Sequence, residues 1–99
     1  MALKFDGKFL KDGSKTLCNV RGNTIYPGTS ANGALANVRG NIIYPKLSAN
    51  GALVNVRGDK IYPRLSVNGA LIKTSDAARK IGATSRGPLT AAIWYLFCR

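Results

Sequence analysis

The chain contains no histidine and no glutamate, and its acidic residues are four aspartates. General acid–base catalysis normally relies on a histidine or on a pair of carboxylates in one cleft. The aspartates stand instead in local contexts that favour a turn or a helix start. They are Asp6, Asp12, Asp59 and Asp76. The sequence therefore predicts a protein that is not an enzyme.

Cysteine is scarce as well, since Cys18 and Cys98 are the only two and lie eighty residues apart. Without a CxxC motif or a histidine they predict no metal site, and no phosphate-binding or dinucleotide fingerprint suggests a cofactor. We expect two free thiols in a reducing compartment, with a disulfide only if the protein is exported. The opening "MALKFDGKFLKDG" has no apolar run typical of a secretory signal. The expected location is the cytoplasm.

Positive charge is abundant, with 15 Lys and Arg residues giving a formal net charge of +11. A domain this basic is attracted to nucleic acid and to other phosphate-rich polyanions. The alternative is a solvated basic surface without a ligand. Attraction alone gives no specificity, so the distribution of the cations has to decide between the two.

An 18-residue phrase occurs three times, at 19–36 (copy 1), 37–54 (copy 2) and 55–72 (copy 3), and residues 7–18 resemble a degenerate fourth copy. A fixed period of this length indicates a repeat architecture. At 99 residues the chain has room for one domain, with the repeats over 1–73 and a different segment over 74–99.

Each copy carries two turn signals. Gly-Asn or Gly-Asp, as at Gly22-Asn23, suits a type II′ turn, and Asn-Gly, as at Asn32-Gly33, suits a type I′ turn. The repeat thus predicts two short antiparallel strands joined by two tight turns. The expected fold is mainly β: an array of four antiparallel hairpins, as a meander or a pseudo-symmetric flower, with a short helical C-terminal segment.

A β-solenoid with one copy per coil is the rival architecture. It would stack equivalent residues about 4.8 Å apart, and therefore place the arginines of successive copies directly against one another. It would also interrupt the same strand with a proline in each coil. We therefore favour the hairpin array.

Alternation along the strands assigns their faces. In copy 2, Ile43, Pro45 and Leu47 share one side of the first strand. Val54 and Val56 share one side of the second. We expect the Ile and Val sides to form the core. The tyrosines of the copies should then lie half-buried on the opposite face.

The C-terminal segment has helical signals. Thr74 or Ser75 is a candidate N-cap and Gly82 a stop for a helix of about two turns. A second helical or buried segment follows, and it is far shorter than the ~20 apolar residues of a membrane span. Its apolar residues Ile93, Trp94, Leu96 and Phe97 predict a plug for the hairpin array, or alternatively a docking tail for a protein partner or a membrane surface. A helix-turn-helix DNA binder is a third possibility.

One candidate binding site remains, namely the arginine that recurs in each copy. We call Arg21, Arg39 and Arg57 the arginine row. No acidic residue recurs to neutralise it. Nearby strands add further cations, so the candidate anion-binding set contains the arginine row together with Lys46, Lys60 and Arg64. In the alternative interpretation, each Arg lays its aliphatic part on a neighbour and keeps its charge in water.

The spacing of Ile-Tyr, Ser, Gly and Leu between Gly40 and Val56 resembles the unit of short bacterial β-flower proteins, as does the small apolar tail "PLTAAIWYLF" at 88–97. Such proteins are built from four or five repeated hairpins around a pseudo-symmetry axis. The resemblance implies a fold. It implies no active site, because the family has no established chemistry.

Overall fold

In the computed structural model, which describes residues 3–83 and 87–98, nine strands precede two helices. The strands are β1 (Leu3–Phe5), β2 (Phe9–Asp12), β3 (Lys15–Arg21), β4 (Thr24–Pro27), β5 (Ala36–Arg39), β6 (Ile42–Pro45), β7 (Val54–Arg57), β8 (Lys60–Pro63) and β9 (Ile72–Lys73). The helices are α1 (Thr74–Ile81) and α2 (Pro88–Phe97). The mainly β class and the helical C-terminal segment are as predicted.

All nine strands of the described chain form one antiparallel sheet in sequential order, β1 to β9. Each strand from β2 to β8 pairs with the strand before it and the strand after it, so the sheet is a meander with β1 and β9 at its edges. Equivalent residues of successive copies are therefore two strands apart, roughly 10 Å, rather than stacked. The solenoid alternative is excluded.

The three copies use the same strand register. In copy 3, Asn55 faces Tyr62 and Val56 faces Ile61 across the β7–β8 pair. The same Asn–Tyr and Val–Ile pairs occur between β3 and β4 and between β5 and β6. Tyr26, Tyr44 and Tyr62 are half-buried, as expected.

The Gly-Asn and Gly-Asp pairs form two-residue turns within each hairpin, as predicted. Arg21 pairs with Thr24, so that Gly22 and Asn23 alone connect β3 to β4. Gly22 has a φ of +63°, and among the described residues the Asn that follows it is not in the positive-φ region. Positive φ at the first central residue only is the signature of a type II′ turn.

The predicted type I′ turn at Asn-Gly is wrong. Asn32 and Gly33 lie within a long loop that runs from residue 28 to 35 between β4 and β5, and Gly33 alone of the two has positive φ. The same long loop occurs in copies 2 and 3. The physical reason is that a side chain of the first strand of each hairpin holds the loop open, as described below.

The core lies on one face of the sheet, called here the inner face. Ile25, Ile43 and Ile61 are fully buried there, and the Val side chains face them across each pair, as predicted. Helix α2 contacts β5, β6 and β7 and contributes Ile93 to the same cluster. The expectation that Leu47 shares the buried side is wrong, because β6 ends at Pro45 and Leu47 lies 65% exposed in the loop.

Helix α1 joins the two edges of the sheet. It contacts both β1 and β9, and the backbone N–H of Phe5 donates to the carbonyl of Gly82 over 3.3 Å. Gly82 ends the helix in the left-handed conformation, as predicted. The predicted N-cap is wrong: Lys73 holds that position, and the Thr74 hydroxyl donates instead to the Asp59 carbonyl.

Candidate polyanion-binding surface

The arginine row lies on the outer face of the sheet, at its tight-turn end. Each of the three arginines is the last residue of its strand and directly precedes the glycine of a type II′ turn. Strand alternation turns it away from the buried Val that precedes it. All three are exposed. Because the three copies share one strand register, the arginines occupy equivalent positions and lie in one line on the outer face.

Nothing in the described part of the chain neutralises these arginines. Within residues 3–83 and 87–98, no hydrogen bond or ion pair engages the guanidinium of Arg21, Arg39 or Arg57. Their cross-strand partners Thr24, Ile42 and Lys60 carry no negative charge. Of the four aspartates, Asp59 is the one that lies in a tight turn next to the row, namely the third. The row therefore keeps a positive potential.

Two members of the row line one surface depression. It has a volume of about 390 Å³ and lies between the second and third hairpins, with Arg39 on one side and Arg57 on the other. Ile42, Asn55 and Leu65 form part of its wall. Because these two arginines approach one concavity, a phosphate group held there would meet two guanidinium groups, each able to donate two hydrogen bonds to it.

The positive charge is densest near β9, the edge strand at the C-terminal side of the sheet. Lys60 faces Arg57 on one side and Lys73 of β9 on the other. Like charges directly opposite one another are destabilising, so this arrangement does not serve the fold. Sequence reasoning included Lys60 and missed Lys73. Lys73 lies eighteen residues after Asn55, in the position that each copy gives to Asn, and that period was the available signal.

Lys46 and Arg64 are separated from the arginine row along the strands. Each follows the proline that ends a hairpin, and Pro45 and Pro63 pair with Ala36 and Val54 rather than with the arginine end. Both residues begin long loops and have positive φ, +51° for Lys46 and +50° for Arg64. The predicted six-residue anion-binding set thus divides into the arginine row with Lys60, and a second pair at the loops.

The recurring Asn is a buried structural residue that the sequence analysis left without a role. Asn55 is 4% exposed, and its side-chain amide donates to the carbonyls of Arg64 and Ser66 over 2.7 and 3.1 Å. Asn19 and Asn37 make the equivalent pair of bonds to their own loops. The Asn thus folds each long loop back across the outer face. In copy 3 this brings Leu65 to the wall of the arginine depression.

The serine of each copy completes the loop. The Ser66 hydroxyl oxygen accepts a hydrogen bond from the backbone N–H of Asn68 over 3.1 Å, and the hydroxyl lies 2.9 Å from the carbonyl of the same residue. Ser30 and Ser48 repeat both contacts. Short polar side chains that bond to nearby backbone groups favour turns in this way. Asn and Ser are therefore accounted for by folding.

The apolar tail divides into buried and half-buried residues. Ile93 is fully buried and Trp94 is 6% exposed, so neither presents its side chain to a partner while the protein is folded. Leu96 and Phe97 are half-buried. All five residues from Thr90 to Trp94 are buried, which leaves α2 without the exposed face that a DNA-reading helix inserts into a groove.

Neither thiol is poised for nucleophilic chemistry. Burial raises the pKa of Cys18 to about 11 and also raises the pKa of Cys98, and both cysteines are unpaired. The thiolate is the reactive form of cysteine, and it is scarce at neutral pH when the pKa rises. The Asp6 carboxylate accepts the backbone N–H groups of Phe9 and Lys8, and these bonds lower its pKa. Asp6 is thus a turn residue, as the sequence indicated.

Two further properties of the described residues concern metal binding and membrane insertion. Among residues 3–83 and 87–98, no group of three or more His, Cys, Asp or Glu side chains is arranged to hold a metal ion. In the same part of the chain, neither helix has the length and hydropathy needed to cross a bilayer. When the chain is compared with protein-family models, with curated proteins and with solved structures, no match is found in any of the three.

Proposed function

We propose that the protein is a non-catalytic module that binds polyanions through the outer face at the tight-turn end of its sheet. The observation that carries the proposal is the convergence of Arg39 and Arg57 on one depression. Arg21 extends the line on one side, and Lys60 with Lys73 extends it on the other. A row of cations about 10 Å apart suits a chain of phosphates better than a single small anion.

The ligand class that we favour is nucleic acid. Another phosphate-rich chain would be recognised by the same contacts. The protein would contact the phosphate backbone, because Arg side chains on a sheet surface provide charge and forked hydrogen bonds. We further propose that the repeats form a β-flower arrangement in which the sheet curls around α2. The shared register of the three copies and the contact of α1 with both edge strands support it. A cytoplasmic location agrees with the two unpaired thiols.

The test is binding of a fluorescent oligonucleotide, single-stranded and duplex, over a series of salt concentrations. The variant changes Arg21, Arg39 and Arg57 together to Gln. Because these side chains are exposed, the fold should survive. We expect the affinity at low salt to fall by at least tenfold. We also expect the slope of log K against log salt to become shallower by up to about 3, the number of lost phosphate contacts.

A matched control removes the same number of charges elsewhere. Lys4, Lys15 and Lys80 are exposed and stand outside the row, and their joint change to Gln leaves the same net charge as the arginine variant. We expect this control to keep most of the affinity and of the salt slope. Equal losses in both variants would mean that net charge alone drives binding, and would reject the arginine row as the site.

A second candidate function is docking of a protein partner through the end of α2. The observation in its favour is that the large apolar side chains Leu96 and Phe97 are only half-buried at the end of α2, after the fully packed stretch from Thr90 to Trp94. Changing both to Ser tests it by a pull-down of interacting proteins, with circular dichroism to check the fold. A folded variant that loses a partner bound by the native chain supports docking. A variant that unfolds assigns the two residues to the core instead.

A further inference from the structure

The long loops of copies 2 and 3 begin with a cation and a leucine, whereas the loop of copy 1 begins with Gly28 and Thr29. The corresponding residues are Lys46 with Leu47, and Arg64 with Leu65. Despite this change the backbone is the same. The φ angles of Gly28, Lys46 and Arg64 are +54°, +51° and +50°. The backbone N–H of each donates to the carbonyl of an equivalent leucine, namely Leu17, Leu35 and Leu53 in that order.

The cations occupy a conformation that suits glycine. A left-handed backbone is unfavourable for an L-residue, and Lys and Arg have no short polar side chain to offset it locally. Copy 1 shows that glycine builds the same loop with the same Asn contacts. The fold therefore does not require a cation at Lys46 or Arg64. Residues held in such conformations for no folding reason are candidates for function.

The neighbouring leucines are the most exposed of the large apolar side chains in the described chain. Leu47 is 65% exposed, Leu65 is 60% exposed, and Val67 in the same loop as Leu65 is 54% exposed. In copy 1 the position of Leu47 is Thr29. The charge and the exposed apolar group thus appear together in two loops and are absent together from the third.

Each cation–leucine pair borders a depression with an apolar floor. One depression, of about 570 Å³, is lined by Lys46 and Leu47 with residues 33–35 of the preceding loop. The other, of about 690 Å³, is lined by Arg64 and Leu65 with residues 51–53 and with Tyr95 of α2. Because successive copies are two strands apart and both loops lie at the end of the strands opposite the tight turns, the two depressions lie roughly 10 Å from each other at that end.

We propose that the two cation–leucine loops form a docking surface for an anionic lipid bilayer. Lys46 and Arg64 would contact lipid phosphates, while Leu47, Leu65 and Val67 enter the boundary between headgroups and acyl chains. Charge complementarity selects an anionic surface. The exposed leucines select a bilayer over a nucleic acid, which supplies phosphates but no apolar layer. The cations of this surface are not those of the arginine row, although Leu65 borders both depressions, and the proposal does not rest on the function proposed for the row.

The first experiment measures co-sedimentation with vesicles of phosphatidylglycerol and phosphatidylcholine, and with vesicles of phosphatidylcholine alone. The variant gives both loops the residues of copy 1, as Lys46→Gly, Leu47→Thr, Arg64→Gly and Leu65→Thr. Its fold is safe because copy 1 already uses this dipeptide. We expect native protein to bind the anionic vesicles at least tenfold more tightly than the neutral ones. The variant should lose at least tenfold of that affinity, since it lacks two cations that attract the anionic surface and two leucines that enter the bilayer.

The second experiment separates lipid insertion from simple attraction. Leu47→Thr with Leu65→Thr keeps every charge, and we expect a loss of about tenfold in vesicle binding. Lys15→Gln with Lys80→Gln removes two exposed cations elsewhere, and we expect a loss of no more than about threefold. The oligonucleotide affinity of Leu47→Thr alone should stay within twofold of native, because Leu47 does not line the arginine depression. A leucine variant that binds anionic vesicles as well as native protein overturns the proposal, as does native protein that binds no vesicle.

Discussion

On the inner face of the sheet Ile25, Ile43 and Ile61 recur because each is fully buried, whereas on the outer face the recurring Asn and Arg have opposite surroundings. The Asn is buried and donates both amide hydrogens to its loop, while the Arg two residues later is exposed and unneutralised. Repetition of a residue in every copy is therefore not by itself a sign of a ligand. The contacts of the side chain decide whether the fold already accounts for it.

The largest effect is expected where α1 packs against β1 at Gly82, the contact that joins the two edges of the sheet. A Cβ at this position would lie 2.3 Å from the carbonyl oxygen of Leu3, and the φ of +64° disfavours any L-residue. Gly82→Ala should therefore push α1 away from β1 and destabilise the protein by about 3–4 kcal/mol, measured by urea denaturation. Gly87→Ala is the control, because a Cβ there meets nothing within 4 Å and the expected change is under about 1 kcal/mol. Similar losses of unfolding free energy in both variants would contradict a close contact between Gly82 and β1.

The next test compares the two recurring residues of the outer face within one strand. Asn55→Ala leaves two loop carbonyls without their donor, so we expect a loss of about 2–3 kcal/mol in the free energy of unfolding. Arg57→Ala should change the same quantity by less than about 0.5 kcal/mol. Urea midpoints at an unchanged m-value measure both. A destabilising Arg57→Ala of the size expected for Asn55 would show that the arginine row belongs to the fold.

The contrast between these two residues also shows which features of the structure the sequence could predict. Period, alternation and the Gly-Asn turns predicted a mainly β hairpin array, with meander and flower left open, and its buried Ile and Val sides; the sheet is a meander. Gly82 separately predicted the end of α1. The predicted Asn-Gly turn was wrong because its local propensity was overridden by a distant side chain. That side chain is the Asn that lies nine residues before the first loop residue and donates to the carbonyl of Gly28, Lys46 or Arg64. No local pattern contains that contact.

The candidate site was predicted in part for the same reason. The arginine row follows from strand period alone, since all three residues hold one register position. Lys73 depends on the pairing of β9 with β8, and the separation of Lys46 and Arg64 depends on where each strand ends. These are properties of the folded sheet, and a list of cations in the sequence does not contain them.

A third test uses the one thiol of the inner face. Burial raises the pKa of Cys18 to about 11 from an ordinary 9.0. Between these two values the unfolded chain releases its proton while the folded chain keeps it, so stability falls as the pH rises from about 9 to about 11. A rise of this size corresponds to a loss on the order of 2 kcal/mol in the free energy of unfolding over this pH range. Denaturation of native protein and Cys18→Ala at both pH values isolates it. Parallel pH profiles would show that other groups cause the decline.

The smallest effect belongs to the outer face, where the loops of the copies can be exchanged. Lys46→Gly removes a side chain from a backbone at φ +51° and should stabilise the protein, but glycine also adds freedom to the unfolded chain. The net gain expected is about 0.5 kcal/mol. Gly28→Lys is the reciprocal change and should destabilise the protein by a similar amount. Thermal unfolding of the two variants measures both signs. If Lys46→Gly destabilised the protein, the lysine would have a folding role after all, and the difference between copy 1 and copy 2 would no longer point to a ligand.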